Sequence, residues 1–213
     1  YNCAAMISGG RIWGLVPKEK LPTYNGFSEG RTLTQGFPAM RATVSGVPLG
    51  DFIFGFDFGT IAIEVCEDLF SADGPMRRRS YSGAELICNV SSSPFRVGFH
   101  GTRRELVSTR AGDHQCTIAY VNQVGAQDGL IFEGGGFVNQ NGRMALELER
   151  FREGWKSVVI DLDRTARLRT ENTTWRSDRQ AWASQNASVE TITVDVTIDR
   201  KGLCYPAPSG QNR

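Results

Sequence analysis

The chain has 213 residues, 40% hydrophobic and 22% charged, with 24 basic against 23 acidic side chains and a net charge of +1. That length suits one domain with a substantial core, and the composition is that of an ordinary globular protein. The even charge balance argues against a nucleic-acid groove or an acidic-membrane surface, and no apolar run approaches bilayer-spanning length.

Tyr1–Ile7 and Ile12–Val16 read as a hairpin about Gly9-Gly10. The next segment, Val16 to Glu29, is bracketed by Pro17 and Pro22, so it is neither helix interior nor central strand but a rigid extended loop. Lys18 stands at the end of the hydrophobic strand, where a partly buried ammonium needs an anionic partner or a chemical role. Lys20 fits a solvated surface position better. Gly26 to Gly50 is rich in Gly, Thr and Pro and reads as irregular. Phe52–Phe54 and Thr60–Val65 read as strands, and the second ends abruptly in Cys66-Glu67-Asp68. A thiol at a sharp strand-to-helix turn meets the free N–H groups of the next turn, which favour the thiolate and can later bind an oxyanion. A buried cysteine acting as a small hydrophobe is the alternative.

Arg77-Arg78-Arg79 reads as the solvated face of a short helix beginning near Asp73. Leu86–Val90 is expected to be a buried strand and Gly101–Asp113 a helix. Further strands are expected at Thr117–Asn122, Leu130–Phe132, Phe137–Asn139, Met144–Leu148, Ser157–Leu162 and Thr191–Ile198. Strands alternating with helices and then with one another suggest a layered α/β or α+β domain. The five cysteines (Cys3, Cys66, Cys88, Cys116, Cys204) include no Cys-x-x-Cys pair, which favours reduced thiols in a cytoplasm over a disulfide framework or a zinc site; no metal site is expected. No signal-peptide pattern opens the sequence.

Pro17-Lys18-x-x-Leu21-Pro22-x-Tyr24-x-x-Phe27-x-Glu29, followed by a strand ending Val65-Cys66-Glu67-Asp68-Leu69, resembles the carbon–nitrogen hydrolase (nitrilase) superfamily, and within it the glutaminase domain of glutamine-dependent NAD+ synthetases. Asn89 to Phe95, Val121 to Asp128, Phe132 to Gly135 and Asp161 to Asn172 agree, and Tyr205-Pro206-Ala207-Pro208 resembles the linker before a synthetase domain. The resemblance implies an α-β-β-α sandwich over 1–205, with a linker starting over 206–213. It also implies that the family's opening strand-helix-strand unit, which supplies a general-base glutamate, is not represented, so the chain alone is expected to be inactive.

The roles implied are Cys66 as nucleophile, Lys18 as the ammonium that stabilises the oxyanion, and Glu29 as a second carboxylate that holds the site, with a loop-anchoring bond to Arg31 as its alternative. Tyr24, Phe27, Glu67 and Ser93 match substrate-pocket positions. Gln127 and Asp128 match a segment associated with ammonia transfer, although a polar turn between strands is an equal reading. Where the family places Lys or Arg, this chain has Phe99; Arg96 or Arg103 are the neighbouring cations that could bind a substrate carboxylate.

The function implied is glutamine hydrolysis through a cysteine thioester, releasing ammonia to a C-terminal NAD+ synthetase domain in a homo-oligomer. No cofactor is expected in this domain; ATP, magnesium and a nicotinamide dinucleotide precursor are expected in the synthetase domain. Another thiol amidase or nitrilase, and a non-catalytic domain of the same fold used for assembly or regulation, remain open. A papain-like Cys–His enzyme finds little support, since the only histidines are His100 and His114, in or beside the expected helix.

Overall fold

The computed structural model describes residues 1–24 and 26–196. The expected linker from Pro206, and the end of the strand expected over Thr191–Ile198, lie outside the described residues. Two sheets pack face to face. The smaller is built from the hairpin β1 (Cys3–Ser8) and β2 (Arg11–Pro17) and a second hairpin, β3 (Arg41–Val44) and β4 (Val47–Gly50), in the order β1-β2-β4-β3. The larger contains β5 (Phe52–Phe56), β6 (Gly59–Val65), β7 (Leu86–Ser91), β8 (Thr117–Asn122), β10 (Leu130–Gln140), β11 (Arg143–Arg150) and β12 (Glu190–Thr193), in the order β11-β10-β8-β7-β6-β5-β12. A short strand, β9 (Val124–Gln127), pairs with the start of β10. At the centre β6, β7 and β8 run parallel.

The alternation along β6 explains the layering. Ile63 and Val65 point to the small sheet and join Ala4, Val16, Phe52, Phe54 and Val194 in one buried cluster. Ala62 points to the other face, where Ile87, Ile118 and Phe137 pack against Met76 of α3 (Met76–Tyr81) and Val107 and Ala111 of α4 (Phe99–Asp113). Each of the Val, Ile, Phe and Met side chains among them, fully buried, contributes about 1.5–3 kcal/mol. Two further helices, α5 (Leu162–Glu171) and α6 (Thr173–Ala183), close the far end. Arg169 donates to the carbonyls of Ala84 and Gln115 at 2.6 and 2.8 Å, just before β7 and β8 begin. The carboxyl ends of the central strands are left for the site, the usual place for it in an open α/β sheet.

The structure corrects four sequence expectations. Gly26–Gly50 is not irregular throughout: it contains the one-turn helix α1 (Glu29–Thr32) and the β3–β4 hairpin, whose turn residues Ser45 and Gly46 both have positive φ (50° and 79°). The strands expected at Leu130–Phe132 and Phe137–Asn139 are one strand, bent where Gly134 and Gly135 adopt φ of 66° and 79°. Ser157–Leu162 is not a strand; Asp161 instead N-caps α5, accepting the Arg164 amide at 3.0 Å.

The arginine run is not a solvated face either. Arg77 is exposed, but Arg79 is fully buried and Arg78 is partly buried. Arg79 donates to the Ile63 carbonyl at 2.7 Å and pairs with Asp51 at 3.2 Å and Glu19 at 3.3 Å, while Arg78 pairs with Asp51 at 2.8 Å and with Glu19. The helix turns two of its three arginines inward because these carboxylates are buried there. Breaking such a buried pair strands the opposite charge, so Arg79→Met should lower the unfolding free energy by about 3–5 kcal/mol. Arg77→Met, which loses only an exposed contact over Tyr81, should change it by less than about 1 kcal/mol in denaturant titrations. Equal losses would mean the two arginines share an environment.

Candidate active site

Cys66 follows the last residue of β6 and opens α2 (Glu67–Phe70). Its backbone is strained, with φ 47° and ψ −101°. Three hydrogen bonds impose that conformation: its amide donates to Val90 at 3.0 Å, and its carbonyl accepts from Leu69 N at 3.1 Å and Asn89 Nδ2 at 3.3 Å. The sulfur is thereby lifted off the strand end, the geometry by which strand–turn–helix nucleophiles are presented.

Lys18 is 2% exposed and comes from the end of β2, in the opposite sheet. Its ammonium forms an ion pair with Glu29, which also accepts from Asn2 Nδ2 at 3.2 Å. Glu29 therefore anchors the lysine rather than Arg31. The lysine loop and the cysteine turn are joined by Asp68. Its Oδ1 accepts the amides of Glu19 and Lys20 at 3.0 and 2.9 Å, and its Oδ2 accepts that of Val65 at 3.2 Å.

Burial pushes the Cys66 thiol above its ordinary range. The Lys18 charge opposes that effect, as do hydrogen bonds from the Ser91 hydroxyl and the Ser92 amide. The sequence suggested donors from the turn after Cys66; these two come from the end of β7. Ser91 Oγ also lies 2.7 Å from Asn89 Oδ1, so its one proton serves either the amide oxygen or the sulfur. The resting group is a thiol, and Lys18, Ser91 and Ser92 offset part of the cost of ionising it.

Around this centre the structure gathers most of the expected pocket residues. Tyr24 Oη donates to Glu67 Oε1 at 2.5 Å, and that bond is the main cause pushing the Tyr24 hydroxyl up to about 12. Phe27 is half-buried in the same turn, its amide on the Tyr24 carbonyl at 3.0 Å. Arg96 is exposed, its guanidinium 4.3 Å above the Phe99 ring and close enough to Tyr24 to act on its hydroxyl. The phenyl ring at position 99 thus carries the neighbouring cation. Arg103, the other candidate, is buried and committed, donating to Glu133 at 2.8 Å and to Ser93 Oγ at 3.2 Å. Ser93 is further fixed by Asn122, which bonds both its amide and its carbonyl, at 2.8 and 3.0 Å.

Gln127 and Asp128 lie at the exposed tip of the β9–β10 hairpin, with Gln127 Nε2 on Asp128 Oδ2 at 3.3 Å. His100 pairs with Glu147 at 3.0 Å, and burial pushes His114 down to about 4. Among the described residues no group of three His, Cys, Asp or Glu side chains is arranged to hold a metal ion, and no helix is long and apolar enough to cross a membrane. Sequence reasoning missed Asp68, Asn89, Ser91, Ser92 and the Glu133–Arg103 pair. Polar residues in otherwise apolar strands, such as Asn89 and Glu133, were the available signal.

No protein-family model matches the chain. It is 33% identical to the glutamine-dependent NAD(+) synthetase of Aquifex aeolicus over 177 residues, which is 83% of this chain and 29% of that protein. The chain thus spans less than a third of that relative. Among solved structures it is similar to the glutamine-dependent NAD+ synthetase of Acinetobacter baumannii, with a TM-score of 0.60 and 33% identity over 72% of this chain and 27% of that one. It shares its fold with a carbon–nitrogen hydrolase from Helicobacter pylori, with a TM-score of 0.66 and 21% identity over 81% of this chain and 60% of that one. The chain has the fold of a carbon–nitrogen hydrolase, and over the stretch that aligns it is similar in sequence to glutamine-dependent NAD+ synthetases.

Proposed function

We propose that this domain hydrolyses the side-chain amide of glutamine and releases ammonia to an NAD+ synthetase domain. The observation that carries the reading is the meeting of a buried, carboxylate-anchored Lys18 with a strained Cys66 from the opposite sheet. The likeness to glutamine-dependent NAD+ synthetases supports it. Cys66 attacks the carboxamide carbon once a carboxylate base, which the family resemblance assigns to its opening unit, has taken the thiol proton. Lys18 and the amides at the site neutralise the oxyanion, ammonia leaves, and water hydrolyses the thioester to glutamate. Glu29 holds Lys18 in place.

The choice of glutamine over a simple amide rests on charge. Glu67 supplies an acceptor for an α-ammonium, and Arg96 a donor for an α-carboxylate. Their common link to Tyr24 supports one pocket mouth bearing both. Ser93 and Phe27 would line that pocket. Gln127 and Asp128, on an exposed hairpin, would face the synthetase domain, where ATP, magnesium and the dinucleotide precursor would bind. A cytoplasmic homo-oligomer is the setting we assign, and the free thiols of Cys3, Cys66, Cys88 and Cys116 suit a reducing compartment.

Treatment with a diazo-ketone analogue of glutamine should place the adduct on Cys66, as mapped by peptide mass spectrometry. Labelling of Cys88 or Cys116 with Cys66 untouched would overturn the assignment. In the polypeptide that carries this domain together with its synthetase partner, Lys18→Ala should cut glutamine turnover about 10²-fold or more, the cost of an oxyanion donor. Lys20→Ala should be nearly neutral, and matching losses would show that the loop has been misassigned.

Arg96→Ala should raise the KM for glutamine more than it lowers kcat, as expected for lost uniform binding. Simple amides lacking the α-carboxylate should be scarcely affected. Unchanged glutamine kinetics, or a preference of the unaltered enzyme for simple amides, would favour a general amidase instead.

A further inference from the structure

Glu64 lies on β6 two residues before Cys66 and has no part in the chemistry above. Its side chain is fully buried, and neither carboxyl oxygen has a hydrogen-bond partner. Arg79 Nη1 is 3.7 Å from Oε1, an ion-pair separation beyond hydrogen-bonding range. The charged and titratable groups that act on it are Arg78 and Arg79 on α3, Asp68 on α2, Glu19 on the lysine loop and Cys116 before β8. Asp51 shares both guanidiniums. Four carboxylates therefore surround two arginines. Glu19 and Asp51 are satisfied by direct ion pairs and Asp68 by backbone amides. Glu64 receives no donor, and a buried carboxylate without donors is the costliest member of such a set to ionise.

We infer that Glu64 is a proton-bearing positioning residue: as the neutral acid it leaves Arg79 committed to Glu19 and Asp51, and its ionisation draws that guanidinium away from Glu19, the residue next to Lys18. Burial pushes its carboxyl up to about 8, in keeping with that geometry. In the unfolded chain the group titrates near its ordinary 4.5, so between these values the folded state binds the extra proton. This contribution to stability is complete below the lower value, declines as pH rises through the window, and is level above the higher one. Glu19 and Asp68 are raised in the same direction, so the Glu64 part is read as the difference between wild type and Glu64→Gln, which mimics the neutral acid at every pH.

The melting temperature of Glu64→Gln should exceed that of wild type by a gap that widens from about pH 5 to about pH 8 and then stays constant. A gap that does not change with pH would overturn the inference. In protein labelled with ¹³C at glutamate carboxyls, the resonance missing from Glu64→Gln should titrate near 8; a midpoint in the ordinary carboxylate range overturns it equally. Alkylation of Cys66 by iodoacetamide reports on Lys18, since that cation favours the thiolate. Above about pH 8 the wild-type rate should fall below that of Glu64→Gln, and superimposable profiles would remove the positioning role. None of these measurements needs glutamine to be the substrate, so failure of the proposed function and failure of this inference are told apart.

Discussion

Asp68 spans the boundary between the two sheets. One of its oxygens takes amides from the loop that leaves the small sheet, and the other takes an amide from the strand end of the large one. A buried carboxylate costs several kcal/mol in desolvation unless donors replace the lost water, and these three amides offset part of that cost. The same bonds hold Lys18 and Cys66 at a fixed separation although they belong to different sheets. With that bridge in place, the strain at Cys66 has somewhere to be supported and the buried ammonium keeps its partner. The arginine cluster behind it extends the arrangement, since Glu19 is bonded through its amide to Asp68 and through its side chain to Arg78 and Arg79.

Much of this was legible in the sequence, for physical reasons. Ile61 to Val65 alternates between two buried faces and ends at a cysteine, so the strand and its turn could be placed from pattern alone. Pro17 and Pro22 excluded regular structure around Lys18, and burial of its ammonium required the anion that proves to be Glu29. What pattern could not show was where short-range preference yields to tertiary partners. Arg78 and Arg79 look solvated because arginine usually is, and only the acids of distant segments turn them inward. Ser157–Leu162 has strand-like residues, but Asp161 caps a helix there instead.

Phe99 shows how a departure from a family pattern can be read chemically. A phenyl ring cannot bind a carboxylate, but its face can hold a guanidinium. Arg96 lies over that face on the exposed side, while Arg103 sits 5.2 Å from the ring centre and is bonded into the protein through Glu133 and Ser93. One cation remains available at the surface, and the other stiffens the wall behind it.

The bend at Gly134 and Gly135 divides β10 into halves with different neighbours. The distal half is paired with β8 and β11 and shares its side chains with the core, whereas the proximal half pairs with β9. Residues added to or removed from the hairpin tip would therefore leave the distal register untouched, because the positive-φ glycines absorb the change in direction. The hairpin tip can lengthen, shorten or change composition during evolution while the centre of the sheet keeps its geometry, so the two are free to diverge at different rates.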